Sequence, residues 1–188
     1  CNLALAEIGD SYNITSIDEI SPQAGICKRF YDSTRDALLR EHPWSFARAR
    51  ADLARLATAP LFGWDYQFQL PANFLRLIEF NGLDAWQPEG AYELEGGVIL
   101  TDAAAAQIIY VKRVTEANLY DALFVEAFTL KLAARICTKL TKDDGLQEGL
   151  MRRYRMALGQ AKKLDANETR PRRILPFEDS DLVRSRLG

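Results

Sequence analysis

The sequence predicts an α+β fold: a helical bundle, formed by an N-terminal helix and two long antiparallel C-terminal helices, with an inserted, mainly antiparallel β-sheet subdomain and an extended C-terminal arm. Three observations predict it. Apolar residues recur at three- and four-residue steps before residue 42 and again after residue 119, the spacing of one helix face. Between those segments the period falls to two, with Asn81-Gly82 and Gly96-Gly97 as turns, the pattern of hairpins. The changeover lies in RDALLREHPWSFARARADLA, residues 35–54, where Pro43 removes a backbone donor and biases His42 away from helix. The expected divisions are 1–45 (N-terminal helical part), 46–115 (inserted β subdomain), 116–166 (helical hairpin completing the bundle) and 167–188 (arm).

In chain order, Leu3, Leu5 and Ile8 suggest a short helix that Gly9 and Asp10 end. Ser16 and Glu19 have capping-box spacing. Ser21 followed by Pro22 is the better helix start, because Ser accepts from a free N–H and proline suits the first helical position. Ile26, Cys27, Phe30, Tyr31, Thr34, Ala37 and Leu38 then share one face, and Lys28, Arg29, Asp32, Arg35, Asp36 and Arg40 mostly take the other. From Phe46, residues Phe46, Arg48, Arg50 and Asp52 alternate with Ala47, Ala49, Ala51 and Leu53, as on a strand with one covered face. Trp44 sits at the corner. About five further strands are expected, at 66–70, 74–80, 92–94, 98–101 and 107–114. Leu123, Phe124, Ala127, Phe128, Leu130, Leu132, Ala134, Ile136 and Cys137 cover more than half a helix circumference, so this helix belongs at the centre of a bundle or between subunits. After a break at Asp143-Asp144-Gly145, a helix over about 146–166 sets Leu150, Tyr154, Ala157, Leu158, Ala161 and Leu164 on one face, with Arg152, Arg153, Arg155, Lys162 and Lys163 largely off it.

Composition narrows the function classes. With 188 residues, 48% of them hydrophobic, the chain can bury a core. Its apolar runs fall short of the roughly 18 residues that span a bilayer, and 1–9 lacks a signal-peptide pattern, so a soluble protein is expected, with residues preceding Cys1. Cys1, Cys27 and Cys137 are odd in number and show no CxxC spacing, which points to reduced thiols and away from a disulfide framework or zinc site. Residues 1–134 carry 11 Lys+Arg against 18 Asp+Glu, whereas 135–188 carry 13 against 8. The basic end suits an acidic protein surface or a nucleic-acid backbone, or simply a solvated helix face.

No catalytic, metal or cofactor constellation is visible. His42 is the only histidine, and its place before Pro43 and Trp44 fits capping or packing of the helix end. Gly96-Gly97 lies between strands without the Lys-Ser/Thr and helix of a phosphate loop. Glu7 with Asp10, or Glu93 with Glu95, could be nominated as glycosidase acids, but nothing sets their separation or raises a pKa. Phe62, Trp64, Tyr66 and Phe68 could stack bases. Their alternation with Asp65 and Gln67 reads instead as sheet core. Arg48, Arg50 and Arg55 could touch phosphate, or form a solvated strand face paired with Asp52. The segment 167–188, with Pro171 and Pro176, cannot form a core alone and reads as an arm that orders on a partner, with Leu175 and Phe177 as anchors and Arg170, Arg172 and Arg173 leading in.

Four motifs add a resemblance: NLALAEIG, then CKRFY at 27–31, then the 35–54 stretch, then APLFGWDYQFQLPANFLR. With the FVEAFTLKLAARI helix, they resemble the tail tubular protein A family of podovirus-type phages and related head-to-tail adaptor proteins. The likeness covers most of the chain and is most specific at HPW-x-FA and FGW-x-Y-x-x-x-LP. It implies a non-enzymatic virion protein, made in the host cytoplasm. Such a protein assembles as a ring, expected to hold about twelve subunits by that likeness, below a portal protein and above a tail tube or nozzle protein. Double-stranded DNA passes through without being read, and there is no cofactor or membrane partner. The arm residues Arg170, Arg172, Arg173, Leu175 and Phe177 are then expected to dock on the portal or a neighbouring subunit, and Pro43, Trp44 and Phe46 to set the angle between bundle and sheet. Peptidoglycan hydrolysis, assigned to some adaptor relatives, and DNA binding by the basic C-terminal region are the alternatives.

Overall fold

The computed structural model describes residues 1–85 and 92–168. Helix α1 (Asn2–Glu7) stops short of Gly9, whose φ of +77° is a left-handed conformation that favours glycine. Asn2 ties the following loop back, donating to the Ile14 carbonyl at 3.0 Å and accepting from its N–H at 3.1 Å. Ser16 and Glu19 build a turn and not a helix start: the Glu19 carboxylate accepts from the Thr15 N–H and hydroxyl, each at 2.8 Å. Helix α2 (Pro22–Glu41) begins where expected, with Ser21 Oγ accepting from the Ala24 N–H at 3.2 Å and proline in the first turn.

Two residues of α2 depart from the expected faces. Ala37 is exposed, whereas Arg35 is only 6% exposed. Carboxylates on the same helix make that burial tolerable, since Asp32 and Asp36 meet the guanidinium at 2.8 and 2.9 Å and satisfy a charge that would be costly alone.

The two-residue period begins at Arg48 and not at Phe46. A 3₁₀ turn (Ser45–Ala47), closed by the Ala47 N–H on the Trp44 carbonyl at 2.9 Å, separates α2 from strand β1 (Arg48–Asp52). Then come β2 (Tyr66–Gln69), β3 (Phe74–Phe80), β4 (Leu83–Asp84), β5 (Tyr92–Glu95), β6 (Val98–Thr101) and β7 (Gln107–Lys112). The short β4 was not expected; it follows Asn81-Gly82, whose φ values of +48° and +81° make the tight hairpin turn.

The strands form two antiparallel sheets, β1-β7-β3-β4 and β2-β6-β5. The four-stranded sheet is a middle layer. Leu75 and Val111 join the bundle core with Ala47 and Val114, while Leu77, Phe80, Ile108 and Tyr110 pack with Phe68, Leu70 and Ile99 from the second sheet.

Helix α3 (Ala122–Leu140) starts at Asp121, whose side chain accepts from the Leu123 and Phe124 N–H groups at 2.8 and 3.3 Å. Helix α4 (Asp144–Glu168) follows, with the Asp143 carboxylate accepting from the Leu146 N–H at 2.9 Å. Because α1, α2 and α4 all pack on α3, its broad apolar surface is covered within the chain and needs no neighbouring subunit. Leu164 is 49% exposed, contrary to expectation. The buried stripe of α4 runs Leu150, Tyr154, Leu158, Ala161 and then Asp165, and one residue is about a 100° turn on a helix. Cys27 and Cys137 are buried free thiols, and Cys1 is half-buried.

Candidate functional site

At the joint between bundle and sheets, the end of α2 and the Ser45–Ala47 turn meet residues of both α3 and α4. His42 leaves α2 in an extended conformation, φ −143° and ψ 147°, as a residue before proline prefers. That direction drives Trp44 into the core, where it is fully buried and donates Nε1–H to the Leu38 carbonyl at 2.9 Å. Leu38 lies near the end of α2, where helix carbonyls run short of N–H donors. The indole meets His42 and Phe124 edge-on at 4.9 and 5.1 Å between centroids. Phe46, half-buried, continues the cluster to Phe124 at 5.1 Å and to Tyr120 at 5.9 Å.

The far end of the bundle closes over this cluster. Asp165, on the last turns of α4, takes His42 Nε2 on one carboxylate oxygen and the Ser45 N–H on the other, each at 2.9 Å. Burial pushes the His42 imidazole below its ordinary value, against the upward pull of Asp165. Next to it, Glu41 accepts from the Tyr154 hydroxyl at 2.8 Å and from Lys131 and Lys162 at 3.2 and 3.3 Å. Burial pushes the Glu41 carboxyl up, but those three donors outweigh it and hold it below the usual value. The same contact, added to burial, pushes the Tyr154 phenol well up. Helices α2, α3 and α4 are therefore bonded together through one carboxylate.

Of the residues singled out from the sequence, the structure brings Pro43, Trp44 and Phe46 together at the joint. Arg170, Arg172, Arg173, Leu175 and Phe177 lie outside the described residues. Sequence reasoning missed Asp165, Glu41, Tyr120 and Phe124 as parts of the joint. The available signal for Asp165 was a carboxylate at the next position of an otherwise apolar stripe.

The remaining candidates hold structural positions. Glu7 makes a two-point pair with Arg153 at 2.6 and 3.2 Å, and Asp10 accepts from the Tyr12 N–H and the Gln23 amide. Glu93 accepts from Trp64 Nε1 at 3.1 Å. Phe68 and half-buried Tyr66 belong to the sheet core, but Phe62 does not: it is 85% exposed beside Leu61 at 97%, because the 54–65 loop carries it past the sheet. Arg48 pairs with Glu79 at 3.5 Å and not with Asp52, and Arg55 stacks over Tyr66 at 3.8 Å. Among the described residues no group of His, Cys, Asp and Glu could hold a metal ion, and no helix is long and apolar enough to cross a membrane. The joint offers fixed geometry and charge pairing.

No protein-family model matches the sequence, and a search of curated proteins returns no match.

Proposed function

We propose that this chain is a virion structural protein, a head-to-tail adaptor that assembles as a ring between a portal protein and a tail tube or nozzle protein. The observation that carries the reading is the identity of the joint. His42, Pro43, Trp44, Phe46 and Ala47, in the motif with the most specific resemblance to tail adaptor proteins, belong to the segment that ties α2 to β1. Three of these residues also meet other helices: His42 meets α4, and Trp44 and Phe46 meet α3. A ring subunit must present one face to its neighbour and another to the tail at a fixed angle. A joint that buries Trp44 and is bonded to α4 through Asp165 supplies that rigidity.

In this reading the helices build the ring, the sheets face outward or toward the tail, and DNA passes through without sequence recognition. The arm, with Arg170, Arg172, Arg173, Leu175 and Phe177, docks on the portal or on the next subunit. The protein carries out no reaction and uses no cofactor.

Mixing the purified protein with the portal protein encoded in the same genome tests the proposal. Electron microscopy is expected to show rings of about twelve subunits on the portal, the number that the resemblance implies. Deletion after Asn167 is expected to weaken docking and leave the circular dichroism of the core unchanged. Failure to bind the portal, or clearing of peptidoglycan that a single Glu or Asp substitution abolishes, would overturn the reading.

A further inference from the structure

We propose that Arg40 and Arg76, beside the joint, form a docking site for the chain's own acidic segment Glu178-Asp179-Ser180-Asp181. The inference goes beyond the adaptor reading and does not depend on it.

Two cations are held together here without a counter-charge. Arg40, on the last turn of α2, donates from Nη1 to the carbonyl of Leu75, the residue next to Arg76 on β3. Burial and then the charge of Arg40 push the Arg76 guanidinium below its ordinary value. Among the described residues neither arginine makes an ion pair, and the Nε of Arg76 is buried with no hydrogen-bond partner. The other cations around the joint are paired: Arg35 with Asp32 and Asp36, Arg48 with Glu79, and Lys131 and Lys162 with Glu41. An unmade bond at a buried donor is unfavourable, and the adjacent like charge adds to the demand for an anion. A planar carboxylate matches the guanidinium fork at two points.

Sequence and tether identify the occupant. Residues 174–183, ILPFEDSDLV, hold three carboxylates and no base. The helix that precedes them is already fixed at the site, since Asp165 bonds His42 and Ser45. Nine residues lie between Glu168 and Glu178, and the ten steps from one to the other reach up to about 33–36 Å when extended. A segment on so short a tether has an effective concentration on the order of millimolar, so two or three modest ion pairs suffice to dock it. Duplex DNA fits less well, because backbone binding calls for a row of exposed cations, whereas the open demand here is a single pair of arginines, one with a buried, unbonded Nε.

Hydrogen–deuterium exchange of the full-length chain tests the proposal. Amides of residues 177–183 are expected to exchange about tenfold more slowly in the wild type than in Arg40→Gln/Arg76→Gln or in Glu178→Gln/Asp179→Asn/Asp181→Asn. A charge swap, Arg40→Glu/Arg76→Glu with Glu178→Lys/Asp179→Lys/Asp181→Lys, is expected to restore the protection. Unchanged exchange in α3 checks that each variant is folded. Equal exchange in the wild type and both neutralised variants overturns the proposal. Protection that rises between about 1 and 100 µM protein overturns docking within one chain in favour of a neighbouring copy. Loss of salt-sensitive binding to a short DNA duplex in Arg40→Gln/Arg76→Gln, with residues 177–183 unprotected in the wild type, overturns it in favour of phosphate.

Discussion

Replacing Trp44 separates what the joint contributes through packing from what it contributes through a single hydrogen bond. Trp44→Ala removes a fully buried indole that meets His42, Phe46 and Phe124. Truncating a buried aromatic costs about 3–5 kcal/mol, and the lost indole bond to Leu38 falls within that range. Trp44→Phe keeps a ring in contact with Phe124 but gives up the bond and part of the volume, for about 1–2 kcal/mol. Against a total stability of about 5–15 kcal/mol for a domain of ordinary size, the first change is severe and the second tolerable. Urea denaturation followed by far-UV circular dichroism measures both. The expected order is wild type, Trp44→Phe, Trp44→Ala, with at least about 1 kcal/mol between the two variants. A Trp44→Ala loss under about 1 kcal/mol would mean that the aromatic cluster does not hold the joint. In the adaptor reading Trp44→Phe also reports on geometry, since a folded subunit with an altered angle should lose portal docking out of proportion to its stability.

Arg35 offers a contrast between two carboxylates on one guanidinium. Asp36 is 24% exposed and also pairs with Arg113, whereas Asp32 is 76% exposed. Asp36→Ala is therefore expected to cost about 2 kcal/mol, by removing the less exposed of the two charged partners of Arg35 and the partner of Arg113, and Asp32→Ala under about 1 kcal/mol; equal losses in urea melts would refute the assignment. Glu19 predicts an acid-sensitive loop. Hydrogen bonds, first from the Thr15 N–H, hold its carboxyl down to about 2 in the folded chain. Its contribution is thus full above the ordinary value near 4.5 and is lost as pH falls toward 2. Glu19→Gln is expected to flatten the pH dependence of stability in that window, and an unchanged slope would show that the loop bonds do not persist in solution.

The α+β class and most element positions were legible because they rest on local signals. Pro43, Ser21-Pro22, Asn81-Gly82 and the periodicity of 122–140 each act within a few residues. What was illegible depends on partners distant in the chain. Nothing near Asp165 announces that it will meet Ser45, and nothing around Glu41 announces Tyr154 and Lys162. Arg35 was assigned to the solvent side because it is charged; its burial depends on the rotation of α2 against α3, which a one-helix pattern cannot give. The division of the strands into two sheets was equally hidden, since alternation marks a covered face without saying what covers it.

The pairing of β1 with β7 has a consequence for the economy of the fold. Asp52 lies opposite Gln107, and Arg48 opposite Val111, so the segment entering the β region and the segment leaving it are neighbours in one ladder. Seen from the bundle, the chain departs and returns at the β1–β7 neck, and of the strands between, β3 also touches the helical core through Leu75 and Ile78. Changes of length or sequence at the tips of the β region, such as the loop bearing Leu61 and Phe62, leave the neck and the helices untouched, so the outer surface is free to diversify while the joint stays constant.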